Sequence, residues 1–243
     1  MTAPTDSAAD AGTRPQKRLL RELHVAPSIL SADFSRLGAQ VEEVIAAGAR
    51  VIHVDVMDGH FVPPITFGSL IVGAIADRVH GAGALLDVHL MIERPERHVE
   101  DFARAGADNI TVHAEATPHL HYALQRIRES GVNAGAAICP ATPTGALSEV
   151  ADDAIDVALC MSVNPGWSRQ QLIPATFAKL RRMRAELPEG VALEVDGGVH
   201  RDTAGPCAEA GANLLVAGSA VFESADPGAA YAEIAAAAGA LGR

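Results

Sequence analysis

Cysteine is scarce in this chain: three in 243 residues, at positions 139, 160 and 207, with no CxxC pair and no framework spacing. That speaks against a disulfide scaffold and for a reducing compartment, the cytoplasm. Long apolar runs are missing too. None reaches the ~18 residues that a membrane-spanning helix needs. Residues 1–20, MTAPTDSAADAGTRPQKRLL, lack the apolar stretch of a signal peptide and read as a disordered tail ahead of one folded domain over 21–243. Positive charge is in deficit, with 19 Lys and Arg against 30 Asp and Glu and a net charge of -11. This argues against nucleic acid or an anionic membrane as a partner, and leaves room for a small anion in a local pocket.

What is present is an alternation. Strand-like runs at 24–29, 50–56, 84–90, 108–114, 132–138, 155–161, 191–196 and 213–217 are separated by helical stretches at 33–47, 68–80, 95–105, 118–130, 146–151, 174–187, 202–210 and 227–240. Ala-Gly-Ala recurs between a helix end and a strand in AAGARVIHV, RAGADNITV and EAGANLLVA. Gly48, Gly106 and Gly211 then act as helix-terminating residues with positive φ. Eight βα units in a chain of this length fit a closed (β/α)8 barrel; a doubly wound open sheet is the alternative, because the pattern cannot show closure.

In such a barrel, function sits at the C-terminal ends of the strands. VIHVDVMDGHFVPP (51–64) places His53, Asp55 and Met57 on one strand face and Val54 and Val56 on the other. LLDVHLM puts Asp87, His89 and Met91 together, TVHAEAT puts His113 with Glu115, and LEVDGG puts Glu194 with Asp196. A lone strand histidine is ordinarily a hydrogen-bonded core residue, and a lone Asp, such as Asp58 before Gly59, is ordinarily a turn former. Several ionisable groups buried together are costly unless they pair or hold a metal, and these supply N and O donors for a divalent ion. Both readings stay open on the pattern alone. Met57, Met91 and Met161 close three strands with soft apolar surface. Gly197-Gly198 and Gly218-Ser219 follow the last two strands, where barrels commonly hold phosphate. No lysine stands at these strand ends, against Schiff-base chemistry, and there is no GxGxxG fingerprint.

The segments APSILSADF, HVDVMDGHFVP, DVHLM, TVHAEAT, MSVNPG, EVDGG and VAGSAVF resemble those of the ribulose-phosphate 3-epimerase family over residues 24–223. The resemblance implies a barrel of the ribulose-phosphate binding type, often oligomeric, with a single divalent ion that is zinc, iron, manganese or cobalt. It implies His53, Asp55, His89 and Asp196 as metal ligands, and Asp55 and Asp196 as the acid–base pair. Ser28 and His89 would contact substrate, Met57, Met91 and Met161 would line the reacting end, and Gly197, Gly198, Gly218 and Ser219 would hold the phosphate. The implied reaction interconverts ribulose 5-phosphate and xylulose 5-phosphate through an enediolate. A six-carbon ketose phosphate such as allulose 6-phosphate is an alternative substrate, and a catalytically silent binding barrel an alternative function. Two departures stand out. Trp167-Ser168-Arg169 replaces the family's Phe-Gly-Gly, so Arg169 is expected beside the phosphate. Cys139-Pro140 stands where Asn-Pro is usual, and Pro64 likewise replaces an Asn.

Overall fold

A computed structural model describes residues 15–240. Eight parallel strands follow one another: β1 (His24–Pro27), β2 (Val51–Met57), β3 (Leu85–Met91), β4 (Asn109–His113), β5 (Asn133–Ile138), β6 (Val157–Met161), β7 (Ala192–Asp196) and β8 (Leu214–Ala217). Their hydrogen-bonded order, β1-β8-β7-β6-β5-β4-β3-β2, makes one sheet whose two ends meet through a parallel bridge between Ser28 and His53. The open-sheet alternative is therefore excluded, and the fold is a (β/α)8 barrel.

Eleven helices are described: α1 (Pro15–Arg21), α2 (Leu37–Ala46), α3 (Ser69–Gly81), α4 (Val99–Ala105), α5 (Leu120–Glu129), α6 (Gly145–Ser148), α7 (Ala151–Ala154), α8 (Thr176–Glu186), α9 (Arg201–Glu209), α10 (Ser219–Phe222) and α11 (Pro227–Ala238). The helix expected over 146–151 is split into α6 and α7. Local signals set the ends. α11 starts with Pro227 in its first turn, and the Asp226 side chain accepts a hydrogen bond from Ala229 N at 2.9 Å. The three Ala-Gly-Ala glycines have φ of 112°, 109° and 106°, as their position between helix and strand requires.

Side-chain alternation sorts the barrel into two cores. Ile52, Val54, Val56, Leu86, Val88, Leu90, Ile110 and Val112 point outward into the apolar layer under the helices. The interior is stacked from its N-terminal end upward. Val51, Leu85, Val157, Ala192 and Leu214 form a dry floor. Above it lies a polar layer with His53, Asp87, Asn109, Thr111 and Glu194, all fully buried. Asp55, His89, Met161 and Asp196 come next, at the mouth.

The floor includes the last residues, Leu19 and Leu20, of the stretch expected as a disordered tail over 1–20. Residues 1–14 lie outside the described part, but Pro15–Arg21 is helical and Leu20 is 1% exposed, packed into the barrel floor. Asn213 Nδ2 donates to Leu20 O at 2.6 Å and ties the plug to the start of β8. Among the described residues no helix is long and apolar enough to cross a membrane.

Candidate active site

Four strand-end side chains converge at the barrel mouth. Each of His53, Asp55, His89 and Asp196 offers one ligand atom, and these atoms lie within 4.8 Å of one another. The β2–β3 register sets Asp55 opposite His89. His89 Nδ1 lies 3.0 Å from Asp55 Oδ1 and 3.8 Å from Asp196 Oδ2, and His53 Nε2 lies 3.3 Å from Asp55 Oδ1. Ser28 Oγ donates to Asp55 Oδ2 at 2.5 Å, across the seam where the barrel closes. From below, Asp87 Oδ2 stands 2.7 Å from His53 Nδ1, and Asn109 Nδ2 donates to Asp87 Oδ1 at 2.6 Å. This is the carboxylate–histidine support that orients a metal-ligating imidazole.

Protonation follows from burial and neighbours. Burial and then the Asp55 charge push the Asp196 carboxyl up to about 8. Burial also opposes charge on Asp55, but the His53 and His89 imidazoles outweigh it and hold Asp55 well below the carboxylate range. Burial, opposed by Asp55, lowers His89 to about 4, so it is neutral, as a ligand must be. For His53 the Asp55 and Asp87 carboxylates overcome burial and raise it well above the ordinary value. Glu194 is raised well above its usual range by burial and the Asp87 charge, and it stays a neutral acid in the layer beneath.

The residues fit a divalent ion. Two imidazoles and two carboxylates give a hard-to-borderline N2O2 donor set. Without a cation the cluster carries a proton on Asp196 and one on His53, the two charges that such an ion would supply. The outer Asp87 and Ser28 contacts leave the inner donor atoms facing one another.

Above the cluster opens a cavity of ≈ 290 Å³, at the lower end of the roughly 300–1,000 Å³ usual for small-molecule sites. Of the residues singled out in the sequence, Ser28, Asp55, Met57, Met91, Met161, Arg169, Asp196, Gly197, Gly198, Gly218 and Ser219 line it. His53 and His89 do not. Both are fully buried beneath its floor, so His89 reaches the cluster and not the cavity surface. The methionines close β2, β3 and β6 as expected. Gly198 has φ 64°, and a Cβ there would come within 2.5 Å of Leu172 N, so the tight turn after β7 depends on glycine.

Two features were not visible in the sequence. Arg169, at φ 63°, donates through Nε to both oxygens of Glu223, at 3.0 and 3.1 Å, and is 73% exposed. Its charge at the cavity rim is thus already matched. Asp58 is more than a turn former. Oδ1 accepts from His60 N and Phe61 N, and Oδ2 accepts from Glu93 N at 2.7 Å, which ties the loop after β2 to the loop after β3. These backbone bonds overcome partial burial and lower the Asp58 carboxyl. Asp58→Ala is expected to cost about 2 kcal/mol, since bonds to a charged acceptor are lost from a partly exposed loop. A lower urea midpoint checks this. A lowered carboxyl stabilises above its unfolded pKa, so the difference from wild type fades as the pH falls below the usual carboxylate range.

A closed barrel with an ion-ligating cluster at the strand ends, and glycine turns after its seventh and eighth strands, defines the class of phosphate-binding (β/α)8 barrels with a metal site. Solved structures with this fold include 3-hexulose-6-phosphate synthase (TM-score 0.69, 20% identity, 88% of this chain and 99% of that one) and Mycobacterium tuberculosis tryptophan synthase (TM-score 0.70, 18% identity, 94% and 98%). The sequence profile of the Ribulose-phosphate 3 epimerase family matches residues 24–222. Ribulose-phosphate 3-epimerase of Bacillus subtilis (strain 168) is 50% identical over 216 residues, 87% of this chain and 98% of that protein. The Synechocystis sp. protein of the same name is 53% identical over 209 residues, 84% and 89%. The chain belongs to the ribulose-phosphate 3-epimerase family.

Proposed function

We propose that the protein interconverts D-ribulose 5-phosphate and D-xylulose 5-phosphate, with Asp55 and Asp196 exchanging the proton at C3. The observation that carries this is the placing of two carboxylates, Asp55 from β2 and Asp196 from β7, on the wall of one cavity. An ionised carboxylate takes the C3 proton, and a protonated one across the reacting carbon returns a proton to the opposite face. Reversal exchanges the two roles. A divalent ion held by His53, Asp55, His89 and Asp196 supplies Lewis-acid stabilisation of the negative charge that develops on the substrate oxygens. Ser28 orients Asp55 through its hydroxyl bond. The three methionine side chains give the reacting end an apolar wall, which strengthens the electrostatics by excluding water.

The phosphate end of the substrate is assigned to the turns after β7 and β8. Gly197, Gly198, Gly218 and Ser219 line that side of the cavity, and the first N–H groups of α10 have no partner within the helix. Arg169 stands at the same rim. An exposed ion pair is worth about 0–1 kcal/mol, so Arg169 exchanges Glu223 for a phosphate oxygen at little cost. Arg169→Ala is expected to raise KM several-fold at nearly constant kcat, and Glu223→Gln to lower it, both read from initial rates at low ionic strength. An unchanged KM in both variants removes Arg169 from the site.

Between five- and six-carbon substrates the cavity of ≈ 290 Å³, small for its class, favours the shorter one. Assay of a panel of ketose phosphates on ion-loaded protein tests the reading. The highest kcat/KM is expected for ribulose 5-phosphate, and a six-carbon preference overturns it. The three free cysteines support a reducing compartment such as the cytoplasm. Self-association, which the family resemblance implies, is measured by light scattering on the eluting protein.

A further inference from the structure

A second group of donors lies beside the first, on the next two strands. His113 ends β4, Glu115 sits in the turn Ala114–Ala116 that follows, and Cys139 is the first residue after β5. His113 Nδ1 is 3.2 Å from Glu115 Oε2 and 3.6 Å from Cys139 Sγ, and the three donors lie within 4.8 Å of one another. We propose that His113, Glu115 and Cys139 form a second divalent-cation site, of the zinc class because one ligand is a thiolate.

Two of the three donor edges match those of a tetrahedral ion. Bonds of about 2.3 Å to sulfur and about 2.0–2.1 Å to nitrogen and oxygen, at the tetrahedral angle, separate S from N by about 3.6 Å and N from O by about 3.3 Å. The observed edges are 3.6 and 3.2 Å. Each ligand is also held from behind. Glu115 Oε1 accepts from Cys139 N at 2.8 Å and from the Thr142 hydroxyl, which leaves Oε2 for the ion. Lys179 Nζ donates to the Cys139 and Pro140 carbonyls at 2.7 and 3.2 Å and pins the loop that carries the thiol. The Phe61 ring packs on His113 at 4.8 Å between centroids. The Glu115 side chain is 27% exposed and Cys139 is half-buried, so an ion can enter and a fourth position is open to solvent. Burial and the neighbouring Glu115 charge push the Cys139 thiol up to about 12, so without a cation the thiol keeps its proton. As the ion takes the sulfur, that proton leaves to solvent.

The site bears on the first one, a consequence that rests on the epimerase reading. His113 Nε2 lies 2.9 Å from His89 Nε2. If His113 binds an ion through Nδ1, its Nε2–H donates to His89 Nε2, which leaves the His89 hydrogen on Nδ1. That nitrogen faces Asp55 and Asp196, and with a hydrogen on it His89 cannot ligate there. Filling the thiol site therefore loosens the ion at the cavity floor.

Cobalt(II) titration of chelator-treated full-length protein tests the site without reference to activity. The cluster of His53, Asp55, His89 and Asp196 contains no sulfur, so thiolate-to-cobalt charge-transfer absorbance in the near ultraviolet reports the second site alone. The expected result is such a band in wild type, absent from Cys139→Asn and shifted to at least ~10-fold higher cobalt in Glu115→Gln. No band in wild type, or the same band in Cys139→Asn, overturns the site. The coupling is read separately. Zinc beyond one equivalent is expected to lower wild-type turnover several-fold and to spare Cys139→Asn, and equal inhibition of the two overturns it. A protein without epimerase activity would still show the cobalt band, so failure of the functional reading and failure of the site are told apart.

Discussion

Asp55→Asn and Asp196→Asn each lower the epimerisation rate at least ~100-fold, the loss expected when a general acid or base is removed. Asparagine keeps the shape of the side chain and one ligating oxygen but can neither take nor hold the C3 proton. The two variants differ from a merely empty site in a specific way. With one carboxylate intact, the hydrogen at C3 of one epimer still exchanges with solvent, while no product of the other configuration appears. Ion content is measured on the same samples, because both residues also belong to the ligand cluster. Near-wild-type turnover in either fully loaded variant would contradict the two-aspartate assignment.

His89→Ala is expected to abolish tight ion binding and, with it, activity. Its imidazole is fully buried, neutral, and 3.0 Å from Asp55, so its removal takes one of four donors and leaves a gap that no neighbour fills. In wild type, uptake of the ion at neutral pH displaces the protons on His53 and Asp196, so about two protons are released per ion bound. The sign follows from the directions. Both groups are raised, so protons compete with the ion and affinity falls as the pH drops below about 8. In the ion-free protein the raised Asp196 favours folding at low pH and that contribution is lost as the pH rises through about 8. Proton release into a weakly buffered indicator solution and elemental analysis of wild type and His89→Ala check both points. Equal ion content in the two proteins removes His89 from the site.

Much of this arrangement was legible in the sequence, because strand alternation is a strict code. Once His53, Asp55 and Met57 share a face against Val54 and Val56, the charged face has to be the barrel interior, and each of the three methionines does close its strand. The Ala-Gly-Ala glycines marked the helix ends for a different reason, that only glycine takes a positive φ there without strain. α1 was not legible. Among the described residues its apolar anchors are Leu19 and Leu20, at the end of a polar run, and the floor they plug is assembled from six strands. The Arg169–Glu223 pair was hidden by a sequence separation of 54, and nothing local to either residue signals the other. Cys139 showed only as a departure from the family pattern. Its meaning depends on the β4–β5 register, which pairs His113 with Ala137 and so brings the thiol just beyond β5 alongside the imidazole. His89 lay beneath the cavity floor, because a seven-residue strand buried on both faces ends above it, at Met91.

On the proposed reading this site moves the C3 proton of a five-carbon ketose phosphate between two aspartates. That transfer is tested most directly by running ion-loaded protein on ribulose 5-phosphate in deuterated buffer and reading the product by proton NMR. The predicted result is xylulose 5-phosphate carrying deuterium at C3 and at no other carbon. Product that keeps its original C3 hydrogen, or ribulose 5-phosphate left unconverted by protein that does epimerise a six-carbon ketose phosphate, would contradict the account.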